Sequence, residues 1–171
     1  MSELVAGDPA SCSRLGGAMR RRAAALTAQA DEVRDASTRL REGWPGRAST
    51  QHRRVLDRCA DDAAHLADGL DRAGRALQEH AAGLAEAQQG VRELLARAAT
   101  LGLSLHGGRL ADDAVRAVRA PAEEESRRAR VEELQTRLDG VLRRHERHQA
   151  HLAETLAATT TTLARADRAG S

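Results

Sequence analysis

Lysine, phenylalanine and tyrosine are absent from this sequence, and tryptophan occurs once, at Trp44. The 27 basic residues are therefore all arginines, and the 25 acidic residues leave a formal net charge of only +2. A nucleic-acid-binding protein needs a face whose positive charge is not cancelled by neighbouring carboxylates, so this balance argues against binding to DNA or RNA. Low proline content, combined with abundant alanine, leucine, arginine and glutamate, is typical of long helices.

The sequence also lacks an apolar run near the ~20 residues that a membrane span requires, and its first thirty residues have no apolar core of a secretory signal peptide. We therefore expect no membrane span and no cleaved signal peptide. Cys12 and Cys59 both fall on apolar helical positions. In a hairpin that turns near residue 45 they would lie far apart, so we predict two small core residues rather than a disulfide.

The segment that contains Trp44 predicts a chain reversal. Pro45 lacks a backbone N–H and disfavours the helical conformation at Trp44, while Gly46 tolerates the backbone angles of a turn. A helix arriving from the N-terminal side must end here, and a second helix can then begin, which places a turn at residues 43–47. The indole of Trp44 either caps the open end of the hairpin or, together with Pro45 and Gly46, contacts another protein. We expect this side chain to be partly exposed.

Two long helices are predicted within residues 8–100, one on each side of this turn. Residues 1–7 show no periodicity and are expected to be disordered, whereas Asp8 and Pro9 are typical of a helix start. Gly16 and Gly17 lie inside the first helix, and we interpret them as tolerated glycines rather than as a close helix contact. Apolar residues recur in this helix at every seventh position: Cys12, Met19, Leu26, Val33 and Leu40.

The second helix has the most regular pattern in the chain, with spacings of four and three residues over six heptads. We predict that this series forms a buried coiled-coil stripe. The first helix is too short to cover its C-terminal end, where Leu84, Val91, Leu94 and Leu95 need another packing partner. The stripe consists of His52, Leu56, Cys59, Ala63, Leu66, Leu70, Ala73, Leu77, His80, Leu84, Ala87, Val91, Leu94 and Ala98.

The rest of the chain is predicted to supply that partner. Residues 101–121 are expected to form a linker with a short helix over residues 109–120, and residues 122–168 a long helix after Pro121. We expect this third helix to dock antiparallel on the second one. Its threonines 159–162 are expected near Trp44, where the helix frays. The predicted fold is all-α, an elongated antiparallel bundle of a helical hairpin and a third long helix.

Three histidines of the third helix, His145, His148 and His151, are spaced by three residues, and antiparallel pairing brings His80 near them. The spacing differs from that of helical metal motifs, and no cysteine or paired carboxylate accompanies it, so we favour a solvated polar stretch over a metal site. No phosphate-binding loop is recognised, nor a nucleophile with a neighbouring base and acid. We therefore expect neither enzyme activity nor a cofactor.

Two long helices joined by Trp44, Pro45 and Gly46 resemble the WxG helical-hairpin family, which contains early-secreted-antigen-like substrates of type VII secretion. The resemblance covers residues 8–100. It implies a helical dimer that is exported in the folded state, with Trp44 and Gly46 at a recognition surface. The family's export signal contains a tyrosine just after the second helix, and this chain has no tyrosine.

The resemblance predicts a non-enzymatic secretion substrate or partner-binding module that is cytoplasmic before export and is secreted without a cleaved signal peptide. Its partner would be another WxG-type helical protein or a secretion component, in a homodimer or a heterodimer, and the partner could supply the missing signal. The lack of tyrosine keeps a second hypothesis open, in which the chain is a cytosolic coiled-coil scaffold unrelated to secretion.

Overall fold

The computed structural model describes residues 4–44, 46–112 and 120–170, with side chains through residue 164. Three long helices contain most of these residues, which confirms the all-α fold with a helical hairpin and a third C-terminal helix. The elements in chain order are α1 (Pro9–Gly43), α2 (Arg47–Thr100), β1 (Leu103–His106), β2 (Arg109–Asp112) and α3 (Pro121–Gly170).

The chain forms two compact units. We call Ala10–Glu79 with His151–Ser171 the hairpin unit, and Met1–Pro9 with His80–Ala150 the strand-bearing unit. The hairpin unit contains α1, the first half of α2 and the end of α3. The strand-bearing unit contains the second half of α2, the two strands and most of α3.

Small residues, not large ones, form the centre of the α1–α2 contact in the hairpin unit. The buried positions of α1 recur every seventh residue and are Gly16, Ala23, Ala30 and Ser37. The predicted series from Cys12 to Leu40 lies beside them and is only half-buried. The sequence analysis predicted that the larger side chains are buried. The two helices instead approach each other along the smaller side chains, because small residues allow a short distance between the backbones.

The helices α1 and α2 approach each other closely at Gly16 and Gly74. A Cβ atom on Gly16 would lie 2.5 Å from the carbonyl oxygen of Gly74, and one on Gly74 would lie 2.7 Å from the carbonyl oxygen of Gly16. The interpretation of Gly16 as a tolerated glycine was therefore wrong. Beside this contact, Arg20 of α1 forms a salt bridge of 3.2 Å with Asp71 of α2. Further along the two antiparallel helices, Arg34 of α1 forms a second salt bridge of 3.2 Å with Asp61 of α2.

The helix α3 packs on α2 over a separate row of glycines. In the hairpin unit, a Cβ on Gly69 would lie 3.3 Å from Thr159 and 3.4 Å from Leu163. In the strand-bearing unit, a Cβ on Gly90 would lie 3.3 Å from Val141. These pairs show that α3 runs antiparallel to α2, as predicted, and that side chains of α3 fill the spaces that the glycines leave.

The large apolar core belongs to the strand-bearing unit. Leu84, Val91 and Leu94 of α2 are buried there, as expected if another helix covers them, and Leu138 of α3 is fully buried. Val5 is 4 % exposed in the same cluster, and Gln88 Nε2 donates a hydrogen bond of 2.9 Å to the Gly7 carbonyl. Disorder was predicted for residues 1–7, but residues 4–7 are held in place because Val5 fills this core. Residues 1–3 lie outside the described residues.

An antiparallel β-hairpin replaces the start of the short helix that was predicted for residues 109–120. Leu105 pairs with Leu110, and the two-residue loop of Gly107 and Gly108 has φ of 56° and 83°. Positive φ at both positions is the geometry of a type I′ turn, which glycine favours. Residues 113–119 of the predicted helix lie outside the described residues.

The start of α3 holds this β-hairpin through side-chain hydrogen bonds. Arg127 donates to both carboxylate oxygens of Asp112 at 2.8 Å, and Gln135 Oε1 accepts from the Leu110 N–H at 2.8 Å. Side chains of α3 therefore provide hydrogen-bond partners for β2 at the edge of the small sheet. These bonds explain how two four-residue strands are stable in a chain that is otherwise helical.

The threonine tract at residues 159–162 remains helical. Each hydroxyl donates to the carbonyl four residues earlier, from Thr159 to Thr155 at 2.9 Å through Thr162 to Ala158 at 3.0 Å. Thr159 packs against Gly69. The expectation that this tract frays beside Trp44 was therefore wrong on both points, since the antiparallel register places it well before the turn.

Candidate protein-interaction site

The reversal lies where the sequence predicts it, and we call residues 43–47 the elbow. The Trp44 N–H donates to the Leu40 carbonyl at 3.0 Å, and the Thr50 N–H donates to the Gly46 carbonyl at 3.1 Å. Gly46 has φ of 135°, a conformation that other residues rarely adopt. Pro45 is outside the described residues. These bonds complete the last turn of α1 and the first turn of α2, and they fix where Trp44 leaves the helix.

The Trp44 side chain is 49 % exposed. A partly exposed indole was the expectation, and it leaves a large apolar surface in contact with water at the end of the hairpin. Since tryptophan occurs only once in the chain, any aromatic contact that the elbow makes with another protein must use this residue.

The described part of α3 does not reach the elbow. Leu163 faces Gly69, and the seven residues from there to Gly170 add about 10 Å at 1.5 Å per residue. The 23 residues from Gly46 to Gly69 span about 35 Å. Among the described residues, no third helix therefore lies beside the first turns of α2.

Apolar residues of α2 are exposed in the segment between the elbow and Gly69. Val55 is 43 % exposed, Leu66 is 36 % exposed, and Cys59 between them is also exposed. Spacings of four and seven residues place the three on one side of the helix, which we call the elbow face. The predicted stripe is buried at Ala73 and Leu77, whereas its members Cys59 and Leu66 are exposed.

The elbow is surrounded by positive charge. Residues 39–58 contain six arginines and two acidic residues, Glu42 and Asp57. The following stretch reverses this balance, with four aspartates and no arginine in residues 59–71. The last of these, Asp71, is held by Arg75 and Arg20, which lower its pKa. A ligand of the elbow face therefore meets a basic environment near Trp44.

Both cysteines are free, as predicted, and Cys12 is half-buried. The exposure of Cys59 contradicts its assignment to the core. Position 59 lies on the same side of α2 as Val55 and Leu66, which are also exposed.

Two of the four candidate histidines meet in the strand-bearing unit. The ring centroids of His80 on α2 and His145 on α3 are 6.1 Å apart, and His145 is only 6 % exposed. The ring of His148 lies over Gly83, where a Cβ would be 3.1 Å from it. The antiparallel pairing predicted the approach of His80, but the solvated stretch was wrong for His145. His151 is exposed.

Burial is the main cause that lowers the pKa of His80, and the nearby His145 and His148 lower it further. The Nδ1 atoms of His80 and His145 are buried without a hydrogen-bond partner. Among the described residues, no group of three or more His, Cys, Asp or Glu side chains is arranged to hold a metal ion. The histidines therefore form a packed contact between two helices rather than a recognisable metal centre.

A groove of about 520 Å³ lies between Leu101 and the first turns of α3. Its lining contains three charged residues, Glu123, Arg127 and Arg130, of which Arg127 is already hydrogen-bonded to Asp112 and to the Leu101 carbonyl. The helices of the described ranges include none with the length and apolar character needed to cross a membrane.

Comparisons of this chain with protein-family models, with curated proteins and with solved structures return no match. The resemblance to the WxG family therefore rests on the residues of the elbow and on the lengths of α1 and α2.

Proposed function

We propose that this chain is a non-enzymatic helical module that binds another protein through its elbow and elbow face, as a substrate or accessory component of type VII secretion. The observation that carries the proposal is the half-exposed Trp44, located at the end of the hairpin that α3 leaves uncovered. Tryptophan is over-represented among residues that dominate binding energy, and here it adjoins exposed apolar side chains of α2.

The chemistry of this surface favours an amphipathic helix as the ligand. Val55, Cys59 and Leu66 offer an apolar strip that a helix can cover in the same way that α3 covers α2 further along. The arginines at residues 39–58 favour a partner whose apolar stripe is flanked by Asp or Glu. Another WxG-type helical protein or a secretion component would meet both requirements, in a homodimer or a heterodimer.

The resemblance supplies the link to secretion. It favours a protein that is cytoplasmic before export and is then secreted without a cleaved signal peptide. The absence of tyrosine favours a second candidate function, a cytosolic coiled-coil scaffold that uses the same surface. A nearby gene for a secretion ATPase or for another small protein with a Trp-x-Gly turn would support the first function.

The test compares Trp44→Ala with Leu15→Ala, a control that removes an equally exposed apolar side chain from α1 outside the elbow. Trp44 is half-exposed, so its truncation should cost about 1–2 kcal/mol of stability, less than the ~3–5 kcal/mol of a fully buried tryptophan. We expect Trp44→Ala to abolish partner binding or export in cells with an active type VII system, and Leu15→Ala to leave both intact.

Two results would contradict the proposal. Emission of Trp44 that is blue-shifted and protected from quenchers would show a structural indole. A wild-type protein that stays wholly in the cytosol, even with its genomic neighbours co-expressed, would exclude secretion and leave the scaffold as the function.

A further inference from the structure

The contact between α2 and α3 in the strand-bearing unit contains three histidines that the proposed function does not use. His80 and His145 face each other at 6.1 Å, and the Nδ1 atoms of both are buried without a hydrogen-bond partner. His148 continues the contact one turn further along α3, with its ring packed on the backbone of Gly83. A buried polar atom without a partner is costly, and a buried charge costs far more.

The surroundings offer little to stabilise a charged ring. His145 and His148 are the groups whose charge acts on His80, and both would carry the same sign as His80 when protonated. Residues 4–7, which pack on α2 nearby, have no titratable side chain. The charged neighbours in the sequence point into solvent: Glu79, Arg143, Arg144, Glu146 and Arg147 are all exposed.

The histidines lie beside the main apolar cluster, so protonation at this contact would affect the packing of α3 on α2. Leu84 lies four residues after His80 on α2, and Leu138 lies seven residues before His145 on α3. Both leucines are almost fully buried in the main apolar cluster. Separation of α3 from α2 at the histidines would therefore open this cluster to water.

We propose that the packed contact of His80 with His145 and His148 is a pH-sensitive latch, which holds α3 against α2 at neutral pH and weakens when His80 is protonated. The latch acts between two helices of the same chain, and it holds whether or not the elbow binds a partner. Its consequence is that mild acid exposes apolar residues of α2 that are covered at neutral pH.

Proton linkage gives the direction in which the stability of the contact between α2 and α3 changes with pH. Because the pKa of His80 is lowered below 6.5 in the folded protein, the separated helices bind more protons than the docked ones once the pH falls below about 6.5. The stabilising effect is therefore complete above that pH and decreases as the pH falls toward the lower folded pKa. One histidine changes the docking equilibrium by at most about tenfold per pH unit.

Hydrogen exchange of the full-length protein tests the latch between pH 7.5 and about 5.5, above the range in which most carboxylates titrate. We expect protection of residues 134–148 to fall on acidification by up to about tenfold, after correction for the intrinsic pH dependence of exchange. His80→Gln, which cannot be protonated, should reduce this fall. His151→Gln, an exposed histidine of the same helix, should not.

A wild-type protein whose corrected protection is independent of pH in this window overturns the proposal. So does His80→Gln with the same fall as wild type. If His80→Gln does not fold, His80→Asn is judged by the same criterion, and the wild-type profile remains decisive if it is flat.

Discussion

Gly16 and Gly17 are adjacent glycines in α1 with opposite expected responses to alanine. A Cβ on Gly16 would lie 2.5 Å from the Gly74 carbonyl oxygen and 2.9 Å from Gln78 Cγ, far inside normal contact. A Cβ on Gly17 would lie 3.4 Å from the mobile end of Arg21 and 3.7 Å from Gln78 Nε2. The two variants therefore differ in sterics while sharing the same change in helix propensity.

Two opposing effects determine how much each alanine substitution changes the free energy of unfolding. Alanine in place of glycine inside a helix stabilises by about 1 kcal/mol. The overlap at Gly16 forces α1 and α2 apart, and overpacking of this kind costs about 1–3 kcal/mol. Gly17→Ala should gain up to about 1 kcal/mol, and Gly16→Ala should lose up to about 2 kcal/mol. The gain in propensity cancels in the comparison, so the difference of about 1–3 kcal/mol measures the close contact itself.

Thermal and urea unfolding, followed both by far-UV circular dichroism and by the fluorescence of Trp44, provide the assay. Fluorescence reports on the hairpin unit, which contains both glycines and the only tryptophan. In a chain of this size, each kcal/mol shifts Tm by about 2–4 °C. A Gly16→Ala variant as stable as Gly17→Ala would refute the close approach of α1 and α2 at Gly74.

Two further predictions concern the third helix and the buried hydroxyl of α1. Deletion of residues 121–171 should expose Leu84, Val91 and Leu95 and lower Tm or cause association, as measured by calorimetry and light scattering, and a fully stable monomeric truncation would contradict the docking of α3. Ser37→Ala should raise stability by about 1 kcal/mol in urea unfolding, because the Ser37 hydroxyl is buried without a hydrogen-bond partner; a loss of stability would mean that the hydroxyl has a partner.

Local chemistry made the helix ends predictable. Pro9 starts α1, and the segment at Trp44 and Gly46 separates α1 from α2, because proline and glycine act through the backbone of their own and neighbouring residues. The same holds for Pro121 at the start of α3. The β-hairpin had a local signal too, in the alternating leucines of β1 followed by Gly107 and Gly108, but a linker and a short helix were predicted instead.

The candidate site was predictable only in part. The exposed Trp44 followed from its position in a turn. The exposure of Cys59 and Leu66 did not, because both belong to the same predicted stripe as Ala73 and Leu77, which are buried. His145 was missed for the opposite reason, since it lies in a polar stretch of sequence and yet is buried where α3 meets α2.

The sequence by itself determined that this chain forms three long helices, where α1 and α2 end, and which side of α2 is apolar, because these properties depend on residues close together in the chain. Tertiary structure alone decided how far α3 extends along α2 and which glycines lie at helix contacts. It also decided that Val5 is buried. Those properties depend on the distance between residues far apart in sequence, and the same apolar pattern is buried at Leu77 and exposed at Leu66.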